Sequence, residues 1–142
     1  MESHWSKQRI ISQLISQNGY DIKDFIQIGG NDGIQDDFMR DMIIHNKWKT
    51  HILEPVDVYF EMLKQNYSAY PHVLCCPYAI LEESGKTKIH FVPPLENHDW
   101  VQGCSTFYPT KNCVGTPYPL VAEVAQTHIA KNTTLKEVDA LS

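Results

Sequence analysis

Short apolar runs alternate with helix-period segments through the first half of the chain. Between residues 6 and 17, Ile10, Ile11, Leu14 and Ile15 recur at helical spacing, and Asn18-Gly19 ends the helix they predict. Phe25-Ile26-Gln27-Ile28 reads as a short buried strand, cut off by Gly29-Gly30. Helical period returns from Ile34 to about Lys47 through Ile34, Phe38, Met42 and Ile43. Asp36, Asp37 and Asp41 fall in its first half, near the positive end of the helix dipole. His51-Ile52-Leu53 is the next strand, closed by Glu54-Pro55. Val58 to Tyr67 then offers Tyr59, Met62, Leu63 and Tyr67 to a helix interface, and Val73-Leu74-Cys75-Cys76 follows as a third strand.

Strand, helix, strand, helix, strand is the order of parallel βαβ units, and it predicts an α/β fold. The strands are apolar runs rather than strict alternations, as expected where helices cover both faces of a sheet. Beyond residue 77 the pattern changes. Ala79-Ile80-Leu81 and Lys86 to Val92 flank Glu83-Ser84-Gly85 and predict an antiparallel hairpin ended by Pro93-Pro94. Residues 95–120 show no period and contain Pro109, Pro117 and Pro119. One more strand is expected within Val121 to Lys131, and a helix begins in Thr134 to Leu141.

Composition narrows the classes. With 142 residues, 42% apolar and 20% charged, the chain suits one folded domain and not disorder. Seventeen acids against twelve Lys and Arg give a net charge of -5, without the basic stripe of a nucleic-acid binder. No apolar run is long enough to span a bilayer, and Met-Glu-Ser-His-Trp-Ser does not open a signal peptide, so a cytoplasmic location is expected. Cys75 and Cys76 are strand neighbours that point to opposite faces and so do not share a metal. No CxxC pair supports zinc, and reduced thiols are expected in preference to a Cys104–Cys113 disulfide.

The segment richest in chemistry runs from Phe25 to Gly33. A strand entering a glycine turn that opens a helix lets a ligand approach the backbone closely, and free N–H groups at the helix start favour its polar or negative groups. Glu54 lies at the carboxyl end of the second strand, where a carboxylate can accept both hydroxyls of a ribose. Turn and acid together point to a nucleoside-containing ligand. NAD fits poorly, because the turn lacks G-x-G-x-x-G and Asp32 would repel a pyrophosphate. S-adenosylmethionine, with a sulfonium and an ammonium, tolerates the acid. Asn31 or Asp32 could bind its ammonium or equally serve as turn formers or caps.

These residues resemble a known family. Phe-Ile-Gln-Ile-Gly-Gly-Asn-Asp-Gly at 25–33, His-Ile-Leu-Glu-Pro-Val at 51–56 and Tyr-Phe-Glu-Met-Leu-Lys-Gln-Asn-Tyr at 59–67 are similar to segments of the FkbM family of S-adenosylmethionine-dependent methyltransferases. Ala79-Ile80 with the Gly85 turn, Gly103-Cys104-Ser105-Thr106 and Thr133-Thr134-Leu135 resemble later family segments more loosely. The resemblance implies an α/β, Rossmann-like methyltransferase fold with a mostly parallel sheet, and S-adenosylmethionine as cofactor. Gly29, Asn31 and Gly33 would line its methionine end, Glu54 would bind the ribose, and Gly30 fills a small-residue position. Gln27 stands where many related enzymes carry an acid, which weakens any electrostatic help to the sulfonium from that position.

On this reading residues 1–22 are an N-terminal helix and lead-in, 23–77 the cofactor-binding core, 78–94 the hairpin and 95–120 a loop-rich segment. Family members continue into an Asp-x-Glu-Gly strand that the sequence does not reach, so the expectation is a domain truncated at its C-terminus, the cofactor-binding half of an O-methyltransferase. Its methyl acceptor would be a small or glycan-like molecule, and an open sheet edge after the third strand would be covered by a second copy or another chain. No base for the transfer is identified. His98, Asp99 and His128 lack partner spacing and read as solvated loop residues, and no metal is expected. The alternative is a non-catalytic protein on the same scaffold that binds a nucleoside or a partner.

Overall fold

The first helical period forms as expected in the computed structural model, which describes residues 6–35, 37–96, 98–109, 118–128 and 135–141. The Ser6 side chain accepts the Arg9 N–H at 3.2 Å and starts helix α1 (Lys7–Asn18), and Gly19 at φ +64° closes it. Ile11 and Ile15 pack on the core, while Ile10 and Leu14 of the same repeat stay exposed. Strands β1 (Asp24–Ile28), β2 (Lys49–Leu53) and β3 (Val73–Cys76) form a parallel sheet in the order β1-β2-β3. Helices α2 (Arg40–Asn46) and α3 (Asp57–Asn66) connect them.

One expected helix is shorter than its apolar period. Ile34 to Phe38 lies outside α2, because short acids bond the backbone locally and compete with helical bonding. Asp32 Oδ1 accepts the N–H groups of Ile34 and Gln35, both at 2.9 Å, and Asp37 Oδ1 accepts that of Met39 at 3.0 Å. Asp36 lies outside the described residues. A second difference concerns β1. Expected to be buried, it pairs with β2 alone among the described residues, and Ile28 is 61% exposed at its end.

The predicted hairpin does not form. Strands β4 (Ala79–Ile80) and β5 (Gly85–Phe91) lie on opposite sides of β6 (Leu120–Thr127), parallel to it and antiparallel to it respectively. A partner from distant sequence takes the place that local pairing would have filled. β6 pairs with β5 over seven residues and contributes Val124 and Ala122 to the apolar face of Ile89 and Phe91. In the unpatterned stretch a 3-10 segment runs over Asp99–Cys104, and Thr106 exchanges two 2.8 Å backbone bonds with His90. Residues 110–117, with Cys113, lie outside the described residues.

The described fold is therefore mixed α/β, with two small sheets and four helices. Two apolar clusters hold it. Ile43, Trp48, Ile52, Leu63 and Tyr67 centre the first, on the face of the parallel sheet that α1, α2 and α3 cover. Val56, Tyr59, Ile89, Phe91 and Val124 centre the second. Helix α3 joins the two, and the Tyr59 hydroxyl donates to the Val92 carbonyl at 2.6 Å. Burial, then the charge of Glu54, pushes the Tyr59 pKa up to about 12, so this donor persists across the physiological range.

Helix α4 (Leu135–Asp139) is tied to β2 by one carboxylate. Asp139 Oδ1 accepts from His51 Nε2 at 2.7 Å, and Oδ2 accepts from Lys49 Nζ at 2.9 Å. His51 is fully buried. The hydrogen bond from Lys49 and then that from His51 hold the Asp139 carboxyl below its ordinary value. A depressed acid contributes stability above its unfolded pKa and loses it as pH falls through the folded one. Urea unfolding measured from pH 6 down to pH 3 is therefore expected to show a steeper loss for wild type than for Asp139→Asn. Parallel curves would show that Asp139 carries none of the acid sensitivity.

Candidate functional site

At the carboxyl end of β2 the main chain leaves the sheet through Glu54-Pro55, and three neighbouring segments are bonded to it. The Leu53 carbonyl accepts the N–H groups of Gly29 and Gly30 at 2.9 and 3.1 Å, and the Glu54 N–H donates to the Cys76 carbonyl at 3.0 Å. The Glu54 side chain, 3% exposed, completes the junction. Its Oε2 accepts the Asn31 N–H at 2.8 Å and its Oε1 the Val56 N–H at 2.9 Å. Burial raises the Glu54 pKa above its ordinary value, and the two backbone N–H bonds oppose that rise.

The glycine turn divides into residues that face open space and residues that serve packing. Gly29 adopts φ +78° with nothing near its missing side chain, and Asn31, at φ +47°, takes a left-handed conformation that few non-glycine residues accept. Gly30 and Gly33 face the core instead. A Cβ on Gly30 would overlap Ile52 Cγ2, and one on Gly33 would come within 2.7 Å of both Leu63 and Tyr67. Asp32 accepts the N–H groups of the following residues, the turn-forming alternative of the two the sequence left open. Gln27 is in register with Ile52 and shares its core-facing side of the sheet, where its buried Oε1 has no hydrogen-bond partner among the described residues.

Arg40 fastens the far side of the turn. Its guanidinium lies 4.5 Å from the centre of the Tyr67 ring and donates to the carbonyls of Gly33 at 3.1 Å and Asn66 at 2.8 Å. The Asn66 amide donates in turn to the Asp32 carbonyl at 2.7 Å. Both edges of the turn are thus bonded to the elements that flank it.

A cleft of about 250 Å³ opens beside this junction. Ile28, Gly29, Asn31 and Glu54 line it from the carboxyl ends of β1 and β2. Tyr78, Ile80 of β4, Ile89 of β5, and Gly103, Ser105 and Phe107 from the segment after β5 complete the lining. Of the residues singled out in the sequence, the structure brings Gly29, Asn31 and Glu54 to the cleft, and places Gln27, Gly30, Asp32 and Gly33 outside its lining. Tyr78, Ser105 and Phe107 were not foreseen as site residues. The run Gly103-Cys104-Ser105-Thr106 was the one available signal, and nothing in its spacing places it in one cleft with Glu54.

Among the described acid–base candidates, His98 and His128 do not line this cleft. His98 Nδ1 bonds the Glu96 carbonyl at 2.9 Å, and His128 is exposed. The Asp99 side chain is outside the described structure. Among the described residues no group of three or more His, Cys, Asp or Glu could hold a metal ion, and no helix is long and apolar enough to cross a membrane. Burial lifts the thiols of Cys75 and Cys76 to about 11, which leaves both protonated and unreactive near neutral pH.

Two outcomes follow from this geometry. Gly30→Ala forces a methyl group into the Ile52 side chain and is expected to lower unfolding stability by about 1–3 kcal/mol in urea titrations. For Glu54, a folded pKa above the unfolded one means that stability is fully present below about pH 4.5 and declines as pH rises through the folded value. The stability of wild type relative to Glu54→Gln is therefore expected to fall between pH 4 and pH 7, and a constant difference would contradict the assignment.

Set beside known proteins, the chain matches no family model, no curated protein and no solved structure.

Proposed function

We propose that this chain is the cofactor-binding half of an S-adenosylmethionine-dependent methyltransferase, built on a Rossmann-like sheet and acting by O-methyl transfer as its resemblance to the FkbM family implies. One observation carries the reading: the Glu54 carboxylate stands at the carboxyl end of β2 beside a cleft that Gly29 and Asn31 also line. Open parallel sheets bind ligands at that end. Each Glu54 oxygen accepts a single backbone N–H and keeps capacity for one further donor, which two ribose hydroxyls would supply. Tyr78, Ile80 and Phe107 provide apolar wall for a flat base. Small-molecule pockets usually fall between about 300 and 1,000 Å³. The cleft is a little smaller, so it suits the nucleoside portion, with the amino-acid portion passing over Gly29 and the exposed end of β1.

S-adenosylmethionine, when bound, would supply an electrophilic methyl group. The part of this chain would be to bind and orient the nucleoside, through Glu54 and the backbone at Gly29 and Asn31. A small or glycan-like hydroxyl compound is the proposed acceptor, in a cytoplasmic setting, and the sheet edge at β3 is the proposed seat of a second copy.

A second reading has its own support. Both Glu54 oxygens already satisfy backbone N–H groups, which is what a purely structural carboxylate would do in a binding protein that catalyses nothing. Amide-resolved NMR titration with S-adenosylmethionine, and with NAD in parallel, separates the possibilities. Saturable shifts with S-adenosylmethionine centred on Gly29 to Gly33 and Glu54, weakened at least about tenfold in Glu54→Ala, are the expected result. Shifts with NAD alone would replace the methyltransferase with a dinucleotide site. Dispersed spectra indifferent to both ligands would overturn the nucleoside assignment and favour the structural carboxylate.

A further inference from the structure

The cleft that Glu54 lines is also lined by Gly103, Ser105 and Phe107, and this segment carries an unmatched polar atom. Ser105 lines the cleft, yet its Oγ is buried and has no hydrogen-bond partner among the described residues. Buried hydroxyls are nearly always paired, because leaving one unsatisfied forfeits its bonds to water. A loose loop could turn such a group outward. This segment cannot drift far, since the next residue, Thr106, is locked to β5 by reciprocal 2.8 Å bonds with His90. The hydroxyl therefore persists, unpaired, in a wall that is otherwise apolar around Ile89 and Phe107. Rotation about its Cα–Cβ bond is the freedom left to it, in a residue that borders the cleft.

We infer that Ser105 is a specificity-determining residue that donates a hydrogen bond to an acceptor atom on the heteroaromatic base of the bound nucleoside. The inference rests on the nucleoside reading of the cleft and extends it to the segment that follows β5. Glu54 accepts only, while ionised, so it selects hydroxyl donors. Ser105 can donate, and it stands among the side chains that would flank a flat ring. Glu54 and Ser105 thus read different parts of one ligand: sugar hydroxyls at Glu54 and base acceptors at Ser105. Apolar contact alone discriminates weakly between flat rings. A buried donor that must be satisfied rejects rings lacking the acceptor.

The test uses Ser105→Ala and Glu54→Ala in the full chain. Binding of S-adenosylhomocysteine is measured by calorimetry, and thermal unfolding is measured without ligand. Ser105→Ala is expected to bind about tenfold more weakly than wild type, the loss of one hydrogen bond. In the free protein its Tm is expected to rise by about 2–6 °C, because an unsatisfied buried hydroxyl has been removed. A serine with a purely structural bond would instead lower the Tm. Unchanged affinity in Ser105→Ala, with binding lost in Glu54→Ala, would overturn the role of Ser105 and leave the nucleoside site standing. A lowered Tm would show that Oγ has a partner in solution and would overturn the inference whatever the ligand. Failure of wild type to bind S-adenosylhomocysteine would remove the nucleoside reading and the inference together.

Discussion

The carboxyl end of β2 is the junction on which the described structure depends. Leu53 holds the glycine turn through its carbonyl, Glu54 holds β3 through its N–H, and the Glu54 carboxylate holds both the turn and the start of α3. The bonds to the turn and to β3 join segments distant in sequence and the one to Val56 is local, so the geometry here fixes where β1, β3 and α3 stand relative to β2. A neutral side chain of similar size could not do the same. Asn31 and Val56 both present N–H donors, and only a carboxylate offers two oxygens that accept in different directions. The consequence is a buried acid whose desolvation opposes its own hydrogen bonds. Ionisation is thereby made more difficult at the point where the structure is most tightly joined.

From that junction the cleft follows. The second sheet does not extend the first. Helix α3 contributes Leu63 to one apolar cluster and Tyr59 to the other, and residues of both sheets line the cleft. A helix with two buried faces holds two small sheets at a fixed separation, and the space left between them is the cleft. Its polar groups then come from opposite origins. Glu54 belongs to the parallel sheet, and Ser105 belongs to a segment bonded to β5.

The alternation of short apolar runs and helical periods made β1, β2, β3, α1 and α3 legible, with ends close to those found, because each is built from contacts local to its own pattern. Two kinds of feature escaped. Short acids at 32 and 37 redirected the backbone and delayed α2, a competition that apolar period does not register. The pairing of β5 with β6 spans a long stretch of chain, and the sequence between Ile80 and Gly85 suggested a local partner instead. The same limit applies to the site. Glu54 could be singled out because it follows a recognisable strand, whereas Ser105 reaches the cleft only through the long-range bonds of Thr106 with His90.

The glycines show why a motif and a site need not coincide. Gly29, Gly30 and Gly33 look alike in sequence, and a ligand-cradling turn would need all three for the same reason. In the fold they answer different constraints. Gly30 and Gly33 are small because Ile52, Leu63 and Tyr67 occupy the space a side chain would need, so the first apolar cluster alone would require them. Gly29 meets no such obstacle, and its positive φ places open backbone beside the cleft. Asn31 accepts a left-handed conformation where glycine would be easier, and its N–H is the one that reaches Glu54. The part of the turn that packing does not explain is therefore Gly29 and Asn31, the two residues that meet the carboxylate at the cleft.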